Sequence, residues 1–223
     1  MKMKLIVNTL FFVFLAFVAI AQTDEKAKVI LAEVSKKYRS FDVIKTEFTY
    51  TLDNPQAKVK ETQTGTLYSK TKANKFKVVL KAQELVSDGK NQWTYLKADK
   101  EVQLSEVDNS SDAMNPARLF TIYEKGFKFL FTGDSKSKAG KTIHNIELTP
   151  LDSKRSYFKV KLQIDKASKQ ITQAIIFDKN GNRYTYSIKA FAPNVKVAET
   201  FFTFDVKKYP GVELVDLQIG RAS

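Results

Sequence analysis

The sequence predicts a mainly β fold with few helices, built on one curled antiparallel sheet. Three observations carry that reading. Apolar and polar residues alternate with period two along most of the chain. Turn dipeptides separate the alternating runs. Only two internal segments break the alternation, and both have helical spacing. The alternating runs add up to about ten strands, and a sheet that wide must curl or close.

The first 21 residues have the form of an export leader. Lys2 and Lys4 precede an apolar stretch from Leu5 to Ile20, broken only by Asn8 and Thr9, and Ala19-Ile20-Ala21 is an A-x-A cleavage pattern. The stretch is slightly short for a membrane span, so an uncleaved anchor is the weaker reading. We read residues 1–21 as a signal peptide cleaved after Ala21 and residues 22–223 as one exported domain. No cysteine follows the cleavage site, so the chain is not itself a lipoprotein. Loss of Lys2 and Lys4 lowers the formal charge from +13 to +11. Export makes nucleic acid a poor explanation for that charge. Anionic headgroups, an acidic docking surface or plain solvation remain.

Residues 24–41 read as an amphipathic helix. Asp24 is a candidate N-cap. Ala27, Ile30, Leu31, Val34, Tyr38 and Phe41 recur at spacings of three and four, with Lys28, Glu33, Lys36 and Lys37 opposite. Strands follow. Phe48, Tyr50 and Leu52 alternate with polar neighbours, as do Phe76, Val78 and Leu80, then Trp93 and Tyr95, then Phe158 to Ile164, then Tyr184 to Ile188. Phe202 and Phe204 flank Thr203 in the same manner. Asp88-Gly89 and Asn180-Gly181 suit tight hairpins with positive φ at both central positions. Asp165–Lys169 is a longer polar turn.

The middle departs from this pattern. Asn115-Pro116 followed by Ala117, Leu119, Phe120, Ile122 and Tyr123 predicts a short apolar helix with Asn115 as N-cap, ended by Gly126. Placed between strands, it reads as a lid over a concave sheet.

Composition excludes much chemistry. The chain has no cysteine and one histidine. Thiolate nucleophiles, Cys-zinc sites and zinc sites with two histidines are excluded. His144 shares the strand parity of Ile146 and Leu148, which reads as a buried strand histidine. Asp88, Asp152, Asp165 and Asp178 fall in turns, where aspartate bonds local backbone. No glycine motif cradles a phosphate. Aromatic residues are abundant instead. Four of them, Phe11, Phe12, Phe14 and Phe17, leave with the leader, and many of the rest sit on inward strand positions. One helix and a short lid cannot cover so wide a sheet, and an uncovered concave apolar surface is a ligand site.

A family resemblance sharpens this. Leu85-Val86-Ser87-Asp88-Gly89-Lys90-Asn91-Gln92-Trp93-Thr94-Tyr95 is similar to the L-V-S-D-G-K-x-x-W-x-Y core of the LolA family, periplasmic carriers of outer-membrane lipoproteins. Phe48-Thr49, Gly65-Thr66-Leu67 with Phe76, Asn115-Pro116, Leu148-Thr149-Pro150 and Phe202-Thr203-Phe204 resemble family features in the same order, over about residues 24–206. The resemblance implies an incomplete, half-open antiparallel β-barrel whose concave face is closed by helices. It implies a non-enzymatic periplasmic chaperone, without cofactor or metal, that shuttles lipoproteins from inner to outer membrane. The donor would be an inner-membrane lipoprotein-releasing ABC transporter, with the outer-membrane acceptor unknown. A monomer that binds no nucleic acid is expected.

Phe48, Tyr50, Phe76, Val78, Leu80, Trp93, Tyr95, Val160 and Leu162 are the candidate cavity residues. Leu119, Phe120, Ile122 and Tyr123 are the candidate lid. Family members commonly carry an Arg-Pro before the Phe of the Gly-x-L hairpin, and that arginine latches the lid; here Lys72 is the nearest cation, without the planar fork of arginine. Two other classes remain open. A lipid- or lipoprotein-sensing module would favour a further partner-binding domain. A lipid hydrolase would need a Ser or Thr beside His144 in the cavity.

Overall fold

The computed structural model of the protein describes residues 25–108 and 120–218. Residues 1–21, expected as a leader, and Asp24, Asn115-Pro116, Ala117 and Leu119 lie outside the described residues. Helix α1 spans 25–40. Its spacing of three and four places Ala27, Ile30, Leu31, Val34 and Tyr38 in the core. Among the described residues, no helix is long and apolar enough to cross a membrane.

Twelve strands follow: β1 (Ile44–Asn54), β2 (Val59–Lys70), β3 (Lys75–Leu80), β4 (Gln83–Ser87), β5 (Asn91–Leu96), β6 (Glu101–Glu106), β7 (Phe127–Lys136), β8 (Thr142–Pro150), β9 (Tyr157–Asp165), β10 (Gln170–Asp178), β11 (Arg183–Pro193) and β12 (Glu213–Asp216). They form one sheet in the order β12-β6-β5-β4-β3-β2-β1-β11-β10-β9-β8-β7. The long β1–β11 pairing joins two meanders into that sheet. Edges β7 and β12 do not meet, so the sheet is curved and open, as a half-open barrel requires. Every pairing is antiparallel except β12 with β6. Edge strand β7 carries a bulge between Phe131 and Gly133.

Three sequence expectations need correction. Phe202-Thr203-Phe204 is not a strand. Glu199–Phe202 is a 3-10 turn, and Phe202 and Phe204 are buried from an irregular segment. Two phenylalanines flanking one threonine are too short a run to fix a period. The hairpins are also not two-residue turns. Gly89 and Gly181 alone take positive φ, and Asp88 and Asn180 do not. Aspartates organise both turns instead. Asp88 Oδ1 accepts from the Lys90 and Asn91 amides at 2.9 and 2.7 Å, and Asp178 Oδ1 accepts from those of Asn180 and Asn182 at 2.9 and 2.8 Å. Finally, the end of the expected lid helix, Ile122–Glu124, is a 3-10 turn.

One core dominates. Side chains of α1, β1–β3 and β8–β10 meet Phe120 and Tyr123 within the curve of the sheet. Half-buried Gly65 pairs opposite both Phe48 and Leu80. A Cβ at Gly65 would fall 2.6 Å from Leu80 Cδ2, 2.8 Å from Phe48 Cζ and 3.0 Å from the Val79 carbonyl oxygen. Gly65→Ala therefore forces both side chains aside and should lower stability by about 1–3 kcal/mol. Chemical denaturation measures this. In a double-mutant cycle with Leu80→Ala, the cost of Gly65→Ala should shrink.

Candidate functional site

The concave face is the candidate site. Cross-strand pairing fixes which side chains share it. Thr46 opposes Leu67, Leu67 opposes Val78 and Val78 opposes Leu85. On the other side of β1, Tyr50 opposes Tyr186, Tyr186 opposes Ala174 and Ala174 opposes Leu162. Phe48, Tyr50 and Leu80 therefore face the same way as Phe76 and Val78. Val160 and Leu162 line the far wall of the same curve.

Helix α1 covers only one end of this face. Tyr38 Oη accepts from the Ile171 amide at 3.0 Å, Lys37 bonds the Ser168 carbonyl, and Lys169 pairs with Glu33 at 2.6 Å. Those contacts hold α1 against the β9–β10 turn. Away from α1, Tyr50, Leu80, Leu85, Tyr184 and Tyr186 are only half-buried while packing on the core. Tyr50 stacks on Tyr184 with ring centroids 6.3 Å apart and lies 5.2 Å from Tyr186. Burial pushes the Tyr186 phenol up, and the neighbouring Tyr50 and Tyr184 add to this. Burial likewise raises Tyr50. These phenols stay neutral at physiological pH.

The nearest acid to this cluster is Asp178, at the rim. Burial alone would raise its carboxyl, but hydrogen bonds from Asn182, Tyr184 and the Asn180 amide outweigh that and lower it. Tyr184 Oη donates to Asp178 at 3.1 Å. The uncovered face is thus aromatic and aliphatic within, with the hydrogen-bonded Asp178 and, opposite Leu52, the exposed Glu61 at its edge. Such a surface suits an apolar ligand.

Among the candidate lid residues, Phe120 is fully buried. It stacks on Tyr38 at 4.7 Å and meets Phe191 edge-on. Tyr123 is buried beside α1, its hydroxyl 3.3 Å from Ser35 Oγ. Ile122 is half-buried against the same core. Lys72 is exposed on the 3-10 turn Thr71–Ala73. The cation that reaches the lid segment is Arg39 of α1, whose guanidinium takes both oxygens of Glu124. That bidentate bond holds the Glu124 carboxyl below its usual range. Arg39 and Glu124 lie 85 residues apart in the chain, so their meeting is a property of the fold.

Trp93 and Tyr95 do not join the other cavity candidates. Val86 opposes Trp93, and Val86 also opposes Lys77 of β3. That places both aromatics on the convex face. There they pack with Val86, Val102, Phe204 and Tyr209 in a second cluster. Tyr209 stacks on Phe204 at 4.5 Å and lies 5.1 Å from Tyr95. Leu85 and Val86 are adjacent and both apolar, and there the sheet changes from one buried face to two. A groove of about 580 Å³ runs beside this cluster, lined by Lys77, Val86, Phe201, Phe204, Lys208 and Tyr209. Glu199 ties the segment back to the sheet. Hydrogen bonds from Lys70 and Lys75 hold its carboxyl down at about 2.

His144 is buried on β8, 2.6 Å from Asp134 Oδ1 through Nδ1, with Phe131 edge-on to its ring. The bond from His144 lowers the Asp134 carboxyl. A carboxylate on Nδ1 is one part of a catalytic relay. Among the described residues, no serine or threonine hydroxyl is hydrogen-bonded to His144, and no group of acids and histidines could hold a metal ion.

A sequence profile of the family described as outer membrane lipoprotein carrier protein LolA matches residues 39–205. No curated protein matches the chain. An uncharacterized conserved protein from Thermus thermophilus superposes with a TM-score of 0.54 at 15% identity, covering 86% of this chain and 99% of that one. A DUF1329 family protein from Desulfovibrio piger gives 0.51 at 13% identity, over 84% and 99%. A LolA superfamily protein from Nitrosomonas europaea gives 0.46 at 14% identity, over 81% and 98%. At these identities the first two show a shared fold and nothing more.

The single tryptophan reports on one face only. An apolar ligand held on the concave face should leave the Trp93 emission maximum unchanged, because Trp93 packs on the other side of the sheet. Tyr209→Ala should shift that emission to the red by opening the second cluster. A fluorescence titration of both proteins checks the pair of outcomes.

Proposed function

The chain belongs to the LolA family of outer membrane lipoprotein carriers, and from that premise we propose that it carries lipoproteins with their acyl chains held against the uncovered concave face. The observation that supports this most is the half-buried apolar group around Tyr50, Leu80, Leu85, Tyr184 and Tyr186. Acyl chains gain about 0.8 kcal/mol for each CH₂ removed from water. Several long chains therefore do not cross an aqueous compartment unaided. The leader at residues 1–21 supports placing the protein in the periplasm. There it would receive cargo from a lipoprotein-releasing ABC transporter and pass it to the outer membrane. The reading is non-enzymatic. The Asp134–His144 pair packs against Phe131, whose ring lies 3.8 Å below Lys26 of α1.

Delivery requires release, and the core suggests how it is favoured. Phe120 and Tyr123 fill part of the curve. Cargo that displaces them gives up their burial, worth roughly 1.5–3 kcal/mol for each fully buried side chain. Closure then opposes binding and assists handover. Arg39, pairing with Glu124, is the latch in this scheme, in the place that the family resemblance assigned to Lys72.

Two variants test these ideas. Leu80→Glu puts a carboxylate on the half-buried face and should abolish binding of a fluorescent fatty acid while the circular dichroism stays that of the wild type. Unchanged binding in the folded variant would place the ligand elsewhere. Phe120→Ala should lower the stability of the empty protein by about 3–5 kcal/mol. It should also tighten acyl-probe binding and slow transfer to acceptor vesicles. Weaker binding would make Phe120 a wall of the site and end the competing-lid scheme.

A further inference from the structure

We propose that the outward face of β7–β11 is a docking surface for an anionic lipid bilayer. The C-terminal segment covers the convex side of β3–β6. Among the described residues, no element packs on the convex side of β7–β11. Two cross-strand rows cross that face. In one, Leu130 opposes Glu147, Glu147 opposes Lys161 and Lys161 opposes Ile175. In the other, Lys159 opposes Phe177 and Phe177 opposes Arg183. Lys128 lies outward at the free edge beside Leu130.

The apolar members are unusually open for strand residues. Leu130 is 46% exposed, and Phe158 is 49% exposed: the register shift that pairs Phe177 with Lys159 and Asp178 with Tyr157 leaves Phe158 as an extra residue beside Phe177, not on the inward parity its spacing predicts. Phe158 and Phe177 rings lie 6.3 Å apart. Three cations surround Phe177: Lys159 and Lys161 at 5.5 and 5.9 Å, and Arg183 at 6.0 Å. Against Lys128, Lys159, Lys161 and Arg183 the face sets Glu147, 2.9 Å from Lys161, and Asp53, 3.9 Å from Arg183. Positive charge is in surplus.

That pattern matches a headgroup layer. Long cations alternate with exposed aromatic and aliphatic side chains on a broad sheet face. Lys and Arg reach phosphates while Phe158 and Leu130 enter the acyl boundary. An acidic protein would satisfy the cations and leave the apolar side chains without a role. The docking face is on the opposite side of the sheet from the concave site, so it stands whether or not that site holds acyl chains.

Co-sedimentation of the mature protein with vesicles tests the assignment. The protein should sediment with an equal mixture of phosphatidylglycerol and phosphatidylcholine and stay in solution with phosphatidylcholine alone. Added salt should release it. Each cation near an anionic surface strengthens binding about fivefold. Lys159→Glu with Lys161→Glu should therefore weaken binding by at least about 25-fold. Phe158→Ser removes an already exposed side chain and should also weaken binding with the fold intact. Leu80→Glu, on the concave face, should bind vesicles as the wild type does. Absence of phosphatidylglycerol-dependent binding overturns the proposal, as does binding that neither outward variant alters. Loss of vesicle binding in Leu80→Glu alone would assign it to the concave face. Binding to polyglutamate as tight as to vesicles, indifferent to Phe158→Ser, would point to an acidic protein and likewise overturn it.

Discussion

A sheet of twelve strands exposes two broad faces, and the one α-helix among the described residues cannot cover either. Every other feature of the fold answers that shortage of cover. The sheet curls, so its concave side chains bury one another. Helix α1 and residues 120–124 close one end of the curve, with Tyr38 at the junction: it stacks on Phe120, meets Phe191 and accepts the Ile171 amide. The C-terminal segment turns back to cover the convex side of β3–β6. Among the described residues, what remains uncovered is the far end of the concave face and the outer face of β7–β11. Both proposed binding surfaces are these leftovers, and each has the composition its exposure demands.

The β-rich class was legible because period two is a strong local signal. Helix α1 was legible for the same kind of reason, its apolar residues recurring at three and four. Which face an alternating strand presents is not a local property. Trp93 and Tyr95 alternate as regularly as Phe76 and Val78, yet they point the other way. The face is set by the chain of pairings from β3 through β4 to β5. The adjacent apolar pair Leu85-Val86 is the signal that would have exposed the switch, since a strand with one wet face has no need of two apolar neighbours. Strand β12 escaped notice because four residues without alternation carry no period.

The motif that suggested the family has a structural explanation. Ser87 is fully buried and its Oγ accepts the Gly89 amide at 3.0 Å. Asp88 closes the turn, and Gly89 combines a positive φ with a Cβ position only 2.5 Å from the Ala73 carbonyl oxygen. Any other residue there would strain the turn and collide with backbone. The motif is therefore specific to the fold rather than to a ligand. The candidate ligand-facing residues, such as Tyr50 and Tyr186, carry no such signature, because an apolar wall tolerates many side chains. Sequence reasoning is for this reason surer about family than about site.

The open sheet has a further consequence at its free margin. Strand β7 begins Phe-Lys-Phe-Leu-Phe, a run that in extended form invites pairing with a second copy of itself. Two devices oppose that. Lys128 interrupts the apolar run, and the bulge between Phe131 and Gly133 breaks the straight row of amides and carbonyls that an incoming strand would need. A closed barrel would have no such margin to defend. An open sheet thus keeps a strand edge that a closed barrel lacks, and in β7 that edge is interrupted by a charge and a bulge.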